Sequence, residues 1–424
     1  MLRSPWFWIA VVLIAVGIAL TVALGGLYWL LGTFAAVILV LLITLLVAAY
    51  AVGQAKPSQV PQLEAVPYSK RTAVLYDCDV TMGRPLQDVG SGLALLYLLG
   101  EPGVDLLGVT TTYGNGPTRV TTHTARRLLD SVARLAPRYD DLSVLPGATS
   151  PDDPPEKNQA ARYLVDTVGT KPGEIALVAT GSMTNLKHAL ALDPDFFDKL
   201  RGLYLLGGVT GPLTWNGHLL GERNFSLDPE AAYAAIHATC PVTIVAGQAG
   251  LTAVFRGPQL AALQRLGNPA TRLIARQIRP WFALMRLWFR DGGFAMWDPI
   301  VALALTHLEL LECEPVYITS TLDELRAGRL FADPSPYGPV RLVRAVQDFD
   351  GFVQALLAAW HHLGRNEPSN LPPQGGGDSQ GWRRYQEDLC SSPRPRGRTS
   401  PPQAGGTEGG QPSLPATPGE GNSY

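Results

Sequence analysis

Charge is scarce in this chain. Of its 424 residues only 17% are Asp, Glu, Lys or Arg, and their formal sum is −2. Nucleic-acid phosphates require a basic face, so no nucleic-acid partner is expected. Cysteine is scarce too. Cys78, Cys240, Cys313 and Cys390 are scattered without a C-x-x-C pair, which fits a reducing compartment. The seven histidines form no H-x-x-x-H or H-E-x-x-H pattern, so no zinc site is legible. No internal repeat is visible.

The longest gap in charge runs from Arg3 to Lys56. A membrane-spanning helix needs ~20 apolar residues, so this stretch has room for two. We place them at Trp6–Leu24 and Thr33–Val52, with Gly25-Gly26, Tyr28 and Trp29 as an interfacial turn. A signal peptide fits less well, because its apolar core is only ~7–15 residues long. Arg3 and the group Lys56, Lys70 and Arg71 then share one side, which the positive-inside tendency makes cytoplasmic. The expectation is a two-helix transmembrane hairpin over residues 1–52, with membrane contact through 6–52. The protein would be a multi-pass protein of the cell membrane with a cytoplasmic body.

Residues 53–71 carry three prolines and mixed polarity and read as a linker. From Thr72 the texture becomes short apolar strands alternating with helices. Ala73–Tyr76, Leu106–Thr111, Ile175–Ala179, Leu203–Leu206 and Val242–Val245 read as strands, and Val316–Thr321 and Leu342–Val346 as later ones. Leu93–Leu99, Val120–Leu135, Thr184–Leu190, the long Arg256–Arg290 and a closing Phe352–Leu363 read as helices. Such alternation predicts an α/β fold, an open and mostly parallel sheet with helices on both faces. From residue 366 to 424 Pro, Gly and Ser dominate, and that tail reads as disordered.

Ligands of open parallel sheets sit beyond the carboxyl ends of the strands. The first strand ends in Asp77-Cys78-Asp79. Two acids so placed are also common as helix caps or solvated loop charges. Asp77-Cys78-Asp79-Val80-Thr81 resembles the haloacid-dehalogenase phosphatase loop D-x-D-x-T, and Thr110–Thr112 could serve as a second motif. No convincing lysine and no later acidic element to hold magnesium follow.

A second resemblance runs further, through Thr72–Leu363. Asp77-Cys78-Asp79 is followed by a long loop, Val80–Val89, and then Gly90-Ser91-Gly92-Leu93-Ala94-Leu95. Val109-Thr110-Thr111-Thr112-Tyr113-Gly114-Asn115 comes next, followed by Thr180-Gly181-Ser182-Met183-Thr184-Asn185 and Leu206-Gly207-Gly208. Glu222-Arg223-Asn224 precedes Asp228-Pro229-Glu230-Ala231-Ala232, and Trp297-Asp298-Pro299 closes the series. In that order the blocks resemble the inosine/uridine-preferring nucleoside hydrolases, whose Trp-Asp form marks a purine-preferring branch. The hydrolase-like domain would then cover residues 72–365.

The resemblance implies hydrolysis of the N-glycosidic bond of purine ribonucleosides by a calcium-activated water. Calcium takes six to eight oxygen ligands. Asp79 would be ligand and general base, Thr180 would offer its backbone carbonyl and Asp298 a carboxylate. Asn115, Glu222, Asn224 and, more weakly, Asn216 would bind the ribose hydroxyls. Trp297 would stack on the base and assist its departure. Each residue also has a plain structural reading: Asn115 a turn, Thr180 a helix cap, Glu222 a loop acid, Trp297 core packing. His218, in the loop before Glu222, is an alternative proton donor, and Trp281 and Trp288 would line the base pocket or pack their helix. One departure stands out. The family's paired acids are Gly90-Ser91 here, so the metal keeps two carboxylates unless Asp88 swings in and Ser91 lends its hydroxyl. A nucleoside-binding protein without turnover is the alternative, and a homo-oligomer is left open.

Overall fold

A computed structural model describes residues 70–289 and 292–363, together with 9, 11–18, 36–40 and 43. The chain divides into two units, Met1–Ser369 and Asn370–Tyr424, and every described residue belongs to the first. The predicted spans Trp6–Leu24 and Thr33–Val52 are described only at 9, 11–18, 36–40 and 43, the linker 53–71 only at 70 and 71, and the tail 366–424 lies outside the described residues.

The expected placement in a cell membrane, multi-pass with a cytoplasmic body, is corrected here. Among the described residues no helix is long and apolar enough to cross a membrane. Freedom from charge is a necessary condition for a span, not a sufficient one. The predicted pair of transmembrane helices ahead of the sheet gains no support.

The first seven strands are β1 (Thr72–Cys78), β2 (Val104–Thr111), β3 (Ser143–Pro146), β4 (Ile175–Ala179), β5 (Gly202–Leu206), β6 (Thr214–Trp215) and β7 (His218–Leu219). They are followed by β8 (Val242–Val245), β9 (Val254–Arg256), β10 (Gly293–Ala295), β11 (Leu311–Ile318), β12 (Ala332–Pro334) and β13 (Val340–Val346). Nine of them form one sheet in the order β12-β11-β13-β8-β5-β4-β1-β2-β3. From β13 to β3 every pairing is parallel, while β11 runs antiparallel to both β12 and β13. The predicted mostly parallel α/β sheet is therefore present.

Strand β1 is buried along most of its length because helices cover both faces of the sheet. Val74, Tyr76 and Cys78 enter the core on one side with the helices Gly90–Gly100, Trp297–Ala304 and Phe349–Leu363. Leu75 enters the other core with Gln159–Thr170, Thr184–Leu192 and Pro229–Ile236. This alternation turns Asp77 away from Tyr76 and Cys78.

β1 pairs with β2 on one side and β4 on the other, so the order in which strands are laid down reverses there. That switch opens a crevice beyond the carboxyl ends of β1 and β4, the place where such sheets bind ligands.

Candidate active site

Three side chains from distant parts of the chain meet in the crevice. The Ser91 hydroxyl lies 2.9 Å from Asp79 Oδ1 and 2.7 Å from Asp298 Oδ1. Asp79 follows β1, Ser91 opens the buried helix Gly90–Gly100, and Asp298 stands in the first turn of Trp297–Ala304. Those two helices pack together, which fixes the meeting point. A serine hydroxyl carries one proton and cannot donate to both carboxylates at once. Its geometry therefore suits either a protonated carboxyl or a neighbouring cation.

Asn115 holds the far side of Asp79. Its backbone N–H donates to Asp79 Oδ2 at 2.7 Å and its side-chain amide to Oδ1 at 3.0 Å. The preceding Gly114 has φ of +153°, and a Cβ there would overlap Asp79 Oδ2. Gly114→Ala is expected to displace the Asp79 carboxylate and destabilise the protein by about 1–3 kcal/mol, the usual range for overpacking. A thermal melt alongside the activity measures both effects, and an unchanged melt would remove the steric argument.

Burial dominates the electrostatics. It pushes the Asp79 carboxyl up to about 7, opposed by the hydrogen bonds from Asn115 and Ser91. Asp298 is raised well above the usual carboxylate range by burial first, then by the charges of Asp88 and Asp79. Asp88 is raised by burial, opposed by the Gly90 and Val89 amides. Asp88 Oδ2 accepts from the Gly90 N–H at 2.7 Å, and the Thr81 hydroxyl donates to the Asp88 carbonyl at 3.0 Å. The inserted loop thus places the Asp88 carboxylate beside Gly90, close to Asp298.

Thr180 sits just past β4. Its hydroxyl lies 2.8 Å from the Tyr76 phenol, which donates to the Ser91 carbonyl at 3.1 Å. The Thr180 carbonyl accepts from Asn224 Nδ2 at 3.3 Å, and the same amide donates to the Leu206 carbonyl at 3.0 Å. Glu222 gathers four main-chain N–H groups, those of Gly208, Asn224, Phe225 and Ser226, at 2.7–3.3 Å. Its carboxylate shapes the loop that presents Asn224.

The Trp297 indole N–H donates to the Gly247 carbonyl at 2.8 Å, so the ring can offer a ligand its face but not its proton. Asn216, with φ of +49°, and Gly217, with φ of +81°, form the two-residue turn between β6 and β7. Asn216 and His218 are exposed on that hairpin. Trp281 is half-buried and packs against the core. Trp288 lies in the helix Pro269–Phe289.

Sequence reasoning missed the shell behind Asp77. Asp77 Oδ1 accepts from Thr110 Oγ1 at 2.6 Å and Asn185 Nδ2 at 2.7 Å, while Oδ2 is buried without a partner. Burial pushes this carboxyl up to about 6. Asn185 Oδ1 accepts from Asn158 Nδ2, which also meets His188 Nδ1 at 2.9 Å. Asn185 lay inside a quoted block, but only its burial reveals its partner.

The donors at this site are hard oxygens of the kind calcium and magnesium prefer. Among the described residues no three His, Cys, Asp or Glu side chains are already drawn up as a metal site. Two observations nonetheless fit a cation. The buried acids repel one another, and the Asp298 and Asp88 carboxylates both crowd Gly90, where a Cβ would overlap Asp298 Oδ2 and stand 2.9 Å from Asp88 Oδ2.

The chain has relatives. Pyrimidine-specific ribonucleoside hydrolase RihB of Escherichia coli is 25% identical over 225 residues, 49% of this chain and 69% of that protein. Among solved structures, a purine-preferring ribonucleoside hydrolase from Gardnerella vaginalis superposes with a TM-score of 0.59 at 21% identity, covering 69% of this chain and 99% of that one. A plant nucleoside hydrolase gives a TM-score of 0.58 at 22% identity, covering 68% and 99%. These structures share the fold. The match in sequence leaves the phosphatase resemblance behind. Since residues 74–354 match the model of the inosine-uridine preferring nucleoside hydrolases, the chain belongs to that family and is an N-ribohydrolase acting on N-glycosyl bonds.

Proposed function

We propose that the protein hydrolyses purine ribonucleosides to base and ribose, using calcium held by Asp79, Asp298, the Thr180 carbonyl and the Ser91 hydroxyl. The observation that carries this reading is the contact of Asp79, Ser91 and Asp298 beyond the end of β1. Calcium bound there supplies positive charge to hold the sugar diol and to make the attacking water more acidic.

The chain's own residues do the rest. Asp79, fixed by two donors from Asn115, takes a proton from the water as general base. A bound cation would keep that carboxyl ionised and so able to accept a proton. N-glycosidic cleavage builds positive charge on the sugar, and the acids beneath it stabilise that charge. Asn115, Glu222 and Asn224 are assigned to the ribose hydroxyls, with Asn216 the weaker candidate at its hairpin tip. The Trp297 face stacks better on a protonated purine than on a neutral one, which assists departure without a proton donor. We assign residues 72–365 to the hydrolase-like body, 53–71 to a linker and 366–424 to a tail.

The full chain, supplied with calcium, is expected to release base from inosine and guanosine with a higher kcat/KM than from uridine and cytidine. A pyrimidine preference would overturn the purine assignment, and no turnover on any of the four would overturn hydrolysis. Gly90-Ser91 favours one second reading, a protein that binds nucleosides without cleaving them. It predicts a thermal shift with ribosides and no base release.

A further inference from the structure

The family resemblance places paired acids where this chain has Gly90-Ser91, and the loop before them, Val80–Val89, is longer than in the resembling motif. Asp88 lies in that loop two residues before Gly90, and its carboxylate folds back onto the Gly90 N–H at 2.7 Å. Asp88 as a residue is half-buried.

Gly90 makes this possible. The point where a Cβ on residue 90 would stand is overlapped by Asp298 Oδ2 and lies 2.9 Å from Asp88 Oδ2. The two carboxylates therefore flank the volume that a side chain at residue 90 would fill. Asp298 in turn shares the Ser91 hydroxyl with Asp79.

We infer that Asp88, delivered by the inserted loop, is the third carboxylate of the cation site, replacing the acid absent at Gly90-Ser91. The inference rests on the divalent-cation reading above and deepens it. It assigns the loop insertion and the glycine to one compensated change: the acid moves two residues upstream, and residue 90 loses its side chain to admit it. Three carboxylates then face the cation, and its affinity depends on how many charged ligands it meets.

Charge gives the test a sign that a purely structural role would not produce. Without the ion, Asp88 is one more acid crowded against Asp298 beside Gly90, with no cation between them. Asp88→Asn keeps the size and an oxygen that can accept from Gly90. It should therefore leave the metal-free protein as stable as the wild type or more so, while weakening the ion's hold.

The experiment titrates calcium alone into the full chain by calorimetry and follows the melting temperature with and without calcium. The wild type is expected to bind calcium, and Asp88→Asn to raise its Kd roughly tenfold or more. The metal-free melt should stay level or rise, and the melt with calcium should fall below that of the wild type. Asp105→Asn, a change of the same charge remote from the acids on β2, should leave the calcium Kd where it was. A Kd for Asp88→Asn within twofold of the wild type would overturn this assignment while sparing the cation reading. No calcium binding by the wild type would overturn both.

Discussion

Replacing Asp79 by asparagine is expected to lower base release from a ribonucleoside by about 10²–10⁴-fold, the range that general-base catalysis supplies. The change removes the negative charge next to Ser91 and Asp298 and one of the two carboxylate oxygens to which Asn115 donates. It keeps the size of the side chain, so the strand end should hold its place. Steady-state kinetics on the full chain, with circular dichroism as a check on folding, measures it. Activity within a few-fold of the wild type would remove Asp79 from the reaction.

The same substitution has a pH signature in the metal-free protein. Asp79 is raised from 3.8 to about 7, so the folded state holds that proton more tightly than the unfolded chain does. The resulting stabilisation is complete below about pH 4 and is lost as the pH climbs through 7. Asp77, raised to about 6, acts in the same direction. Wild-type melts without metal should therefore fall between pH 5 and 8, and Asp79→Asn should flatten that decline. Calcium reverses the trend, because its ligands must shed protons before they bind. A wild type that melts higher at pH 8 than at pH 5 without metal would contradict the burial argument.

Writing an acid back into position 90 is expected to harm the protein. Gly90→Asp places a Cβ against Asp298 Oδ2 and 2.9 Å from Asp88 Oδ2, then adds a further charge to the same enclosed volume. Overpacking alone costs about 1–3 kcal/mol, and the added repulsion increases that. The melting temperature should fall, and hydrolysis should fall rather than recover, both alone and with Ser91→Asp. Thermal melts and kinetics on the same samples decide it. A stable and more active Gly90→Asp variant would show that the volume over residue 90 is still open to an acid.

Much of the fold was legible because β1, β4, β5 and β8 are buried on both faces and read as short apolar runs. Direction was not legible: β11 is as apolar at Val316 as its neighbours, and nothing in its composition says that it runs antiparallel. The stretch Arg256–Arg290 reads as one helix, yet Gly267 ends Gly257–Leu266 in the left-handed region and Pro269 starts the next helix. The strands β3, β6, β7, β9, β10 and β12, at two to four residues each, are too short for periodicity to register.

The site was partly legible, for a different reason. Asp79, Asn115 and Asp298 lay in quoted blocks, and packing brings Asp79 against both Asn115 and the Ser91 bridge to Asp298. Glu222 lay in a block too, but its oxygens also accept from main-chain amides, three at Oε1 and one at Oε2, which only the three-dimensional loop reveals. The shell of Asn158, His188 and Asn185 behind Asp77 has no pattern in sequence at all, since it joins three elements through side-chain amides.

Ser91 and Asp298, which share one hydrogen bond, stand 207 positions apart along the chain. A ribosome making this protein has long since released the first strand when the second acid emerges. Until then Asp79 and Ser91 lack Asp298, and the site is incomplete. Chains dominated by such distant pairings fold slowly. Function here is thus a property of the finished body, and a nascent or clipped chain would carry the motif without the chemistry.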